Sequence, residues 1–396
     1  MQTPERVLKR AHIAAALFFF TNGAVFANLV PRYPEIKESL GLNATVYGTV
    51  LAMNPIGAIA AGVAAGALIR RFGSAWIAAF GTFTLGLGVA AAAWAPNVWL
   101  LGLGLLVAGA FDAITDVAQN AQALRVQSAR GRSIINSMHA LWSLGAVGGG
   151  GMAAGAIALG IPLKWHLLIS SALLVGVSFF ARYWALPGPE NEAGEAQEKA
   201  APVGRGRLGT GIALSLVALV LIAIGGGLVE EVSFSWASLY LREEAGAPAA
   251  LAASGFIGLV GAQFVGRIVS DKLVDRFGAR AVVSVAGILI AAGIGLAVGV
   301  PTVWGVCIGF ALAGFGCAPT IPLAMQQADR LPGLRAGTGL TVVTWLMRLA
   351  FLVAPPLVGM IADASSIRMG LLVSLSGGVL VLVLAFVMPR GLPRKP

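Results

Sequence analysis

Long apolar runs, separated by short polar stretches, dominate the chain. About 20 apolar residues cross the hydrocarbon core of a bilayer, so each run of that length predicts a membrane-spanning helix. We mark twelve runs, with predicted bounds 11–30, 45–69, 74–94, 98–123, 134–158, 165–186, 209–240, 248–270, 280–300, 302–325, 337–360 and 366–388. The seventh is too long for one straight helix, and we expect Gly225, Gly226 and Gly227 to break or bend it. The pattern predicts an all-α membrane protein with twelve transmembrane helices.

The one linker-like stretch, residues 187–208, lies between the sixth and seventh runs and is rich in Gly, Pro, Glu and Ala. It predicts two six-helix bundles, 1–186 and 209–396, joined by a cytoplasmic linker. Lys and Arg collect in the segments on the amino-terminal side of the predicted membrane, which places both termini in the cytoplasm. Arg267, near the end of the eighth run, is counted with these cytoplasmic residues, and Arg348 is then the only base far from the ends of its run.

A repeat supports two halves. A shift of 205 residues lays Arg71-Phe72-Gly73 on Arg276-Phe277-Gly278, each after the second helix of its half, and lays Gly41 on Gly246. The same shift pairs Ala108-Gly109, Ala113, Thr115 and Arg125 with Ala313-Gly314, Ala318, Thr320 and Arg330. Because each half has an even number of spans, the halves share one orientation and are parallel repeats.

Composition agrees with this architecture and excludes several functions. Hydrophobic residues make up 58% of the chain and charged residues 11%, against about 25% charged in soluble domains. The net charge of +10 comes from short basic clusters between apolar runs, which indicates a lipid bilayer as partner and no nucleic acid. Cys307 and Cys317 form neither a disulfide framework nor a metal spacing, so we expect no metal and no cofactor. No nucleophile–base pair and no Gly-x-x-x-x-Gly-Lys-Ser/Thr signature is evident, which argues against an enzyme and against ATP-driven pumping.

An acidic stripe in the fourth run carries the main functional hypothesis. Asp112 and Asp116 are four residues apart and share one helix face, which Gln119 and Asn120 continue and Thr115 borders. An intramembrane carboxylate costs about 2.5–3.5 kcal/mol on the insertion scale, so the stripe should face a water-filled pathway. The alternative is a buried polar pair that holds helices together.

The repeat favours the functional interpretation. Asp112 and Asp116 correspond to Cys317 and Ile321, so the same helix can be built without acids. A carboxyl group whose access to water alternates between the two sides can load and release a proton. Asp116 is therefore the first candidate for the proton carrier, with Asp112 as its modulator or as a solute ligand.

Three further charges lie in the spans. Glu230 and Glu231 point about 100° apart on a helix, so one should line the pathway while the other pairs or reaches outer water. Both are candidates for proton coupling, and a gating contact is the alternative. Arg348 needs either an acid such as Glu231 or Asp116, or an anionic solute.

Neutral polar and aromatic residues complete the predicted binding site. Amides could hydrogen-bond a hydroxylated solute or bridge helices, and tryptophans could stack on a sugar ring or pack. His139 could relay protons or donate to a backbone carbonyl. The substrate-binding candidates are Asn22, Asn28, Asn54, Asn120, Gln119, His139, Trp142, Trp236, Gln263, Trp345 and Arg348.

Two loops each match the pattern Gly-x-x-x-Asp-Arg-x-Gly at all but one of its positions, and this pattern resembles the signature of the major facilitator superfamily. The residues of these inner-gate loops are Gly66, Arg70, Arg71, Gly73, Asp271, Asp275, Arg276, Gly278 and Arg280. Asp271 replaces the opening Gly of the second copy, and Arg70 stands where the family has an Asp that belongs to an inner latch. The resemblance therefore implies latch chemistry at Asp275 and puts it in doubt at Arg70.

Within the superfamily, the chain is most similar to the fucose permease-like group and its uncharacterised bacterial relatives. The similar stretches are 22–42, 116–122 and 137–150. In that group a fourth-helix acid is implicated in proton coupling, and it corresponds to Asp116. The resemblance implies a monomeric inner-membrane transporter that moves a small polar solute, sugar-like or an organic acid, by proton-coupled alternating access.

Two other functions stay open. The first is a proton-coupled drug or metabolite efflux antiporter, although Leu105 stands where family antiporters carry an Arg and residues 145–151 lack their Pro. The second is a membrane sensor that does not transport.

Overall fold

The computed structural model describes residues 4–131, 134–186, 209–332, 334 and 338–388, and this part of the chain is almost entirely helical. The twelve predicted spans are confirmed in it as helices long and apolar enough to cross a membrane.

We number the spans in chain order. Spans one to six are Pro4–Leu29, Ala44–Leu51 with Met53–Gly62, Ser74–Trp94, Val98–Arg130, Ile135–Ala158 and Leu163–Trp184. Spans seven to twelve are Thr210–Glu243, Ala249–Phe277, Ala279–Gly299, Val303–Cys317 with Thr320–Asp329, Thr338–Ala364, and Ile367–Gly370 with Leu372–Ala385. The shorter helices Val30–Arg32 (a 3-10 helix), Tyr33–Ser39 and Ala65–Phe72 follow spans one and two.

Several helices run past the apolar runs that predict them. The fourth span ends at Arg130 rather than near residue 123, because helical hydrogen bonding continues where the chain leaves the hydrocarbon. The tenth span is interrupted before Thr320, where Pro319 has no N–H to donate.

The predicted break in the seventh span is wrong, because Thr210–Glu243 is one continuous helix. Its three glycines serve close packing instead. A Cβ on Gly225 would meet the backbone of Gly377, and one on Gly226 would overlap the Thr320 hydroxyl. Small residues allow such close approach between membrane helices.

Contacts divide the chain into two compact units. The first unit holds spans one to six together with Pro248–Ala253, and the second holds the remainder of spans seven to twelve. In the first unit, span one packs against spans five and six, and span three packs against spans four and six. In the second, span seven packs against eleven and twelve, and span nine packs against ten and twelve. The predicted linker, 187–208, lies outside the described residues, so the domain boundaries and the cytoplasmic termini stay predictions.

The offset of 205 residues recurs in the backbone. Gly73 and Gly278 have φ of 83° and 81°, and Gly41 and Gly246 have φ of 60° and 66°. These are left-handed conformations that glycine adopts without strain. The parallel repeat is therefore present in the geometry of the two units.

Close helix contacts repeat with the same offset. Gly109 leaves no room for a Cβ beside the carbonyl of Asn54, and Gly314 leaves none beside that of Leu259. Gly88 approaches the backbone of Gly104 as Gly293 approaches that of Gly309. The glycines thus fix how spans pack within each unit.

Candidate functional site

A hydrogen-bonded network ties three spans of the first unit together. The Asn22 Nδ2 of span one donates to the Asp112 carboxylate of span four at 2.7 Å. The Trp142 Nε1 of span five donates to the Asn22 Oδ1 at 2.8 Å. Asn22 is buried, while Asp112 and Trp142 are partly buried. Three of the predicted site residues therefore meet at one point.

The donor and acceptor groups of these side chains fix which atom of Asn22 faces which neighbour. An indole N–H is a donor only, so Trp142 obliges Asn22 to present its carbonyl oxygen to the ring. The amide NH₂ of Asn22 then has to face the Asp112 carboxylate, which needs a donor when charged. Trp142 thereby orients the group that holds Asp112, without contacting the acid itself.

Asp116 lies one turn further along span four in a different environment. Its side chain is exposed, and Gln119 and Asn120 each donate to its Oδ1 at 3.1 Å. Asp112 and Asp116 interact electrostatically. The predicted stripe is thus a chain of contacts along one helix face.

The fourth span has a second exposed strip, which is apolar. Trp99, Leu103 and Val117 are exposed and lie about 100–140° around the helix from Asp116. An apolar strip suits lipid, whereas an exposed acid at bilayer depth requires water. The two strips give the helix one face for each environment.

Two polar groups beside the stripe have no partner among the described residues. These are the Nδ2 of Asn54, whose backbone contacts Gly109, and the hydroxyl of Thr115. Both atoms are buried. Buried polar groups are normally hydrogen-bonded, so these two are candidate contacts for water or a solute.

In the second unit the candidate charges are arranged otherwise. A guanidinium nitrogen of Arg267 lies 3.9 Å from a carboxylate oxygen of Glu230. Glu231 instead accepts a hydrogen bond of 2.8 Å from Ser235, one turn along span seven. Grouping Arg267 with the cytoplasmic segments is wrong, because its side chain turns toward span seven and pairs there with Glu230.

Among the described residues of its unit, Arg348 does not form an ion pair with Glu230 or with Glu231. Its guanidinium carbon lies 5.5 Å from the ring centroid of Trp345, which is 48% exposed. The hypothesis that Glu231 neutralises Arg348 is therefore wrong for this structure. Span eleven presents a cation beside an exposed aromatic face.

The remaining candidates fall in separate places. Trp236 is fully buried, so its ring faces are covered by protein. The Oε1 of Gln263 is buried without a partner among the described residues. The His139 ring packs edge-on against Phe19, with centroids 5.2 Å apart. Asn28 lies six residues beyond Asn22 on span one, nearly two helical turns away, where it contacts a residue of span six.

That residue is His166, which sequence reasoning missed. Its Nε2 lies 2.9 Å from the Oδ1 of Asn28. The nearby Arg32 is buried, pairs with Glu35 at 2.6 Å and donates to the Ile161 carbonyl at 2.7 Å. A polar residue early in an apolar run was the available signal for His166. Nothing in the sequence distinguishes Arg32 from an ordinary basic loop residue, because its burial depends on the tertiary structure.

The two inner-gate loops have the same shape despite the difference at Arg70. Arg71 lies over the Phe72 ring at 5.2 Å, and Arg276 lies over the Phe277 ring at 5.3 Å. A positive-φ glycine ends the helix in both copies. Latch chemistry at Asp275 stays a prediction.

Comparison with known proteins places this geometry in context. The model of the family described as Major Facilitator Superfamily matches residues 15–273 and 262–396. An uncharacterised transporter of Sinorhizobium fredii is 28% identical over 374 residues, which cover 94% of this chain and 96% of that protein.

Two solved structures have the same fold. A D-xylose–proton symporter has a TM-score of 0.74 at 16% identity, covering 96% of this chain and 97% of the symporter. The outward conformation of the transporter FucP has a TM-score of 0.61 at 16% identity, covering 96% and 98%. At such identities the likeness concerns the fold alone.

Proposed function

Since the chain belongs to the Major Facilitator Superfamily and is a multi-pass membrane transporter, we propose that it moves a small polar solute by proton-coupled alternating access. The halves 1–186 and 209–396 would be its two bundles, and the protein would act as a monomer in the inner membrane. The solute is sugar-like or an organic acid.

The observation that carries the proposal is the Trp142–Asn22–Asp112 network. It joins three spans through a carboxylate at bilayer depth, with a donor oriented toward that carboxylate. A charge in such a place is costly, and acids of this kind mark ion and substrate pathways. Protonation would remove the negative charge of Asp112 and so weaken the hydrogen bond that Asn22 donates to it.

We assign the proton carrier to Asp116 and the modulating role to Asp112. Asp116 is exposed, which a group that exchanges protons with water requires. Gln119 and Asn120 hold its carboxylate by donating to it. Asp112 interacts with Asp116 electrostatically and is tied to spans one and five, so the charge on Asp116 can bias helix packing through it.

The solute contacts on the second unit would centre on Arg348 and Trp345. A guanidinium is charged at any accessible pH, and this one has no acidic partner among the described residues of its unit. That favours a solute with a carboxylate or another anionic group. The exposed face of Trp345 could stack on a flat part of the same molecule.

The test is transport into vesicles that contain the purified protein. A thermal-shift screen of metabolites first supplies a solute. An imposed pH gradient should then drive its accumulation by the wild type, while Asp116→Asn should fall to the level of empty vesicles, because the amide keeps the shape and cannot titrate.

The matched control is Glu5→Gln, which removes an exposed carboxylate at the start of span one. It should transport like the wild type. Gradient-driven accumulation by correctly inserted Asp116→Asn protein would refute the assignment of the carrier.

A further inference from the structure

Each unit has an apolar crevice in its surface, and the two are related by the internal repeat. The first is lined by residues of spans three and four and of the helix Ala65–Phe72, and has a volume of about 460 Å³. Each residue that lines the first crevice has a repeat partner, 205 positions later, that lines the second crevice. The second crevice has a volume of about 280 Å³. Small-molecule sites occupy about 300–1,000 Å³, so the first crevice has the size of a binding site.

The first crevice is open to the outside of its unit. Phe72, Trp76 and Phe80 line it and are about half exposed. Its floor is formed by Phe111 and Ile114 of span four. In a protein that spans a membrane, exposed apolar side chains of this kind meet acyl chains.

Two arginines lie at the rim of the first crevice, with their guanidinium groups over aromatic rings that line it. The guanidinium carbon of Arg182 lies 3.4 Å from the ring centroid of Trp76, and that of Arg71 lies 5.2 Å from the ring centroid of Phe72. Among the described residues neither forms a salt bridge with a carboxylate. Both guanidinium groups therefore keep donors free for an anion, and Arg binds phosphate in bidentate geometry.

We propose that the first crevice binds one anionic phospholipid. An acyl chain lies along Phe80, Phe111 and Ile114, and the headgroup phosphate is held by Arg71 and Arg182. Basic sites between membrane helices are known to accept anionic headgroups. The apolar groove beside the guanidinium groups selects a lipid over a free phosphate, which has no acyl chain to bury.

The second crevice supplies an internal comparison. Arg276 over Phe277 repeats the contact of Arg71 over Phe72. Ala281 and Val387 occupy the positions that correspond to Trp76 and Arg182, so the aromatic ring and the arginine stacked on it are both missing, and the volume is smaller. The guanidinium of Arg280 lies instead over Phe386, with its carbon 5.7 Å from the ring centroid. The second crevice should therefore hold an anionic lipid more weakly.

Native mass spectrometry of the full-length protein in detergent tests the proposal. Phosphatidylglycerol and phosphatidylcholine are the probes, added at equal concentration. The double variant Arg71→Gln/Arg182→Gln should retain about tenfold less phosphatidylglycerol than the wild type, with phosphatidylcholine unchanged. The variant Arg276→Gln, in the second crevice, should lose less phosphatidylglycerol than this double variant does.

Arg130→Gln is the matched control, because it removes a cation at the same end of the unit, outside the crevice. It should retain phosphatidylglycerol like the wild type. Phe80→Ser keeps both arginines and makes the groove polar, so it should also lower retention. Melting temperatures establish that each variant is folded.

Equal retention of the two lipids by the wild type would overturn the proposal, as would an unchanged double variant. A loss in Arg130→Gln as large as in the double variant would mean non-specific attraction of charge. Displacement by glycerol phosphate, with no effect of Phe80→Ser, would mean a phosphate site without a lipid site.

Discussion

The centres of the two units share their packing and differ in their chemistry. Asn22, Asp112 and Trp142 form the network of the first unit, and the repeat places Gly227, Cys317 and Met347 at the same points of the second. The contact between span one and span five survives as Gly227 against Met347. The fold thus needs close approach at these positions and does not need polar groups, which is why we attribute the network to function.

The second unit carries its charges elsewhere. Glu230 and Arg267 form its intramembrane pair, and their counterparts in the first unit are Val25 and Gly62. In the first unit the acid is held by a neutral amide, without a countercharge. In the second unit the acid lies beside a guanidinium, which is a permanent countercharge. On the proposed function, coupling would reside in the first unit and structural charge pairing in the second.

The largest expected effect concerns this charge pair. Arg267→Gln leaves Glu230 without its cation, and an uncompensated acid in a span costs about 2.5–3.5 kcal/mol on the insertion scale. The melting temperature of the purified protein should fall clearly, and Glu230→Gln in the same chain should restore part of the loss.

Arg348→Gln is the control for that pair. It also removes a guanidinium from a span of the second unit, but among the described residues it leaves no ion-pair partner behind, so its loss should be smaller. A double variant no more stable than Arg267→Gln would mean that the 3.9 Å pair contributes nothing.

A smaller and symmetric effect is expected from the paired glycines. Gly109→Ala and Gly314→Ala each place a Cβ against a backbone carbonyl of the neighbouring span, and overpacking costs about 1–3 kcal/mol. Thermal unfolding of both variants measures the loss. Gly155→Ala and Gly295→Ala are controls, because a Cβ there meets nothing within 4 Å. Unequal losses at Gly109 and Gly314 would show that the two units tolerate crowding differently.

The smallest effect tests the orientation of Asn22. Trp142→Phe keeps an aromatic ring and removes the one donor that fixes the amide, a hydrogen bond worth about 0.5–1.5 kcal/mol. Initial rates of proton-driven transport should fall a few-fold, as for a difference of about 1 kcal/mol. Met347→Leu changes the corresponding side chain of the second unit and should leave the rate unchanged. Equal rates in Trp142→Phe and the wild type would remove Trp142 from the coupling network.

Sequence reasoning found the members of the network and not their connections. Asp112 and Asn22 stood out because polar groups are costly in apolar runs, and Trp142 stood out because its ring could stack on a sugar. Their pairing depends on how spans one, four and five are rotated about their axes, which periodicity along one span does not fix. Arg267 was misplaced for a related reason, since a charge near the end of an apolar run looks the same whether it reaches water or turns inward to Glu230.

The sequence by itself determined the twelve spans, the repeat at 205 residues and the family. These follow from local properties: the length of apolar runs, the recurrence of glycine at fixed spacing, and loop motifs. Only the tertiary structure decided that Trp142 orients Asn22 toward Asp112, that Glu230 pairs with Arg267, and that His166 meets Asn28. Those contacts join residues far apart in the chain, and their energies depend on distances of a few ångströms that helix packing sets.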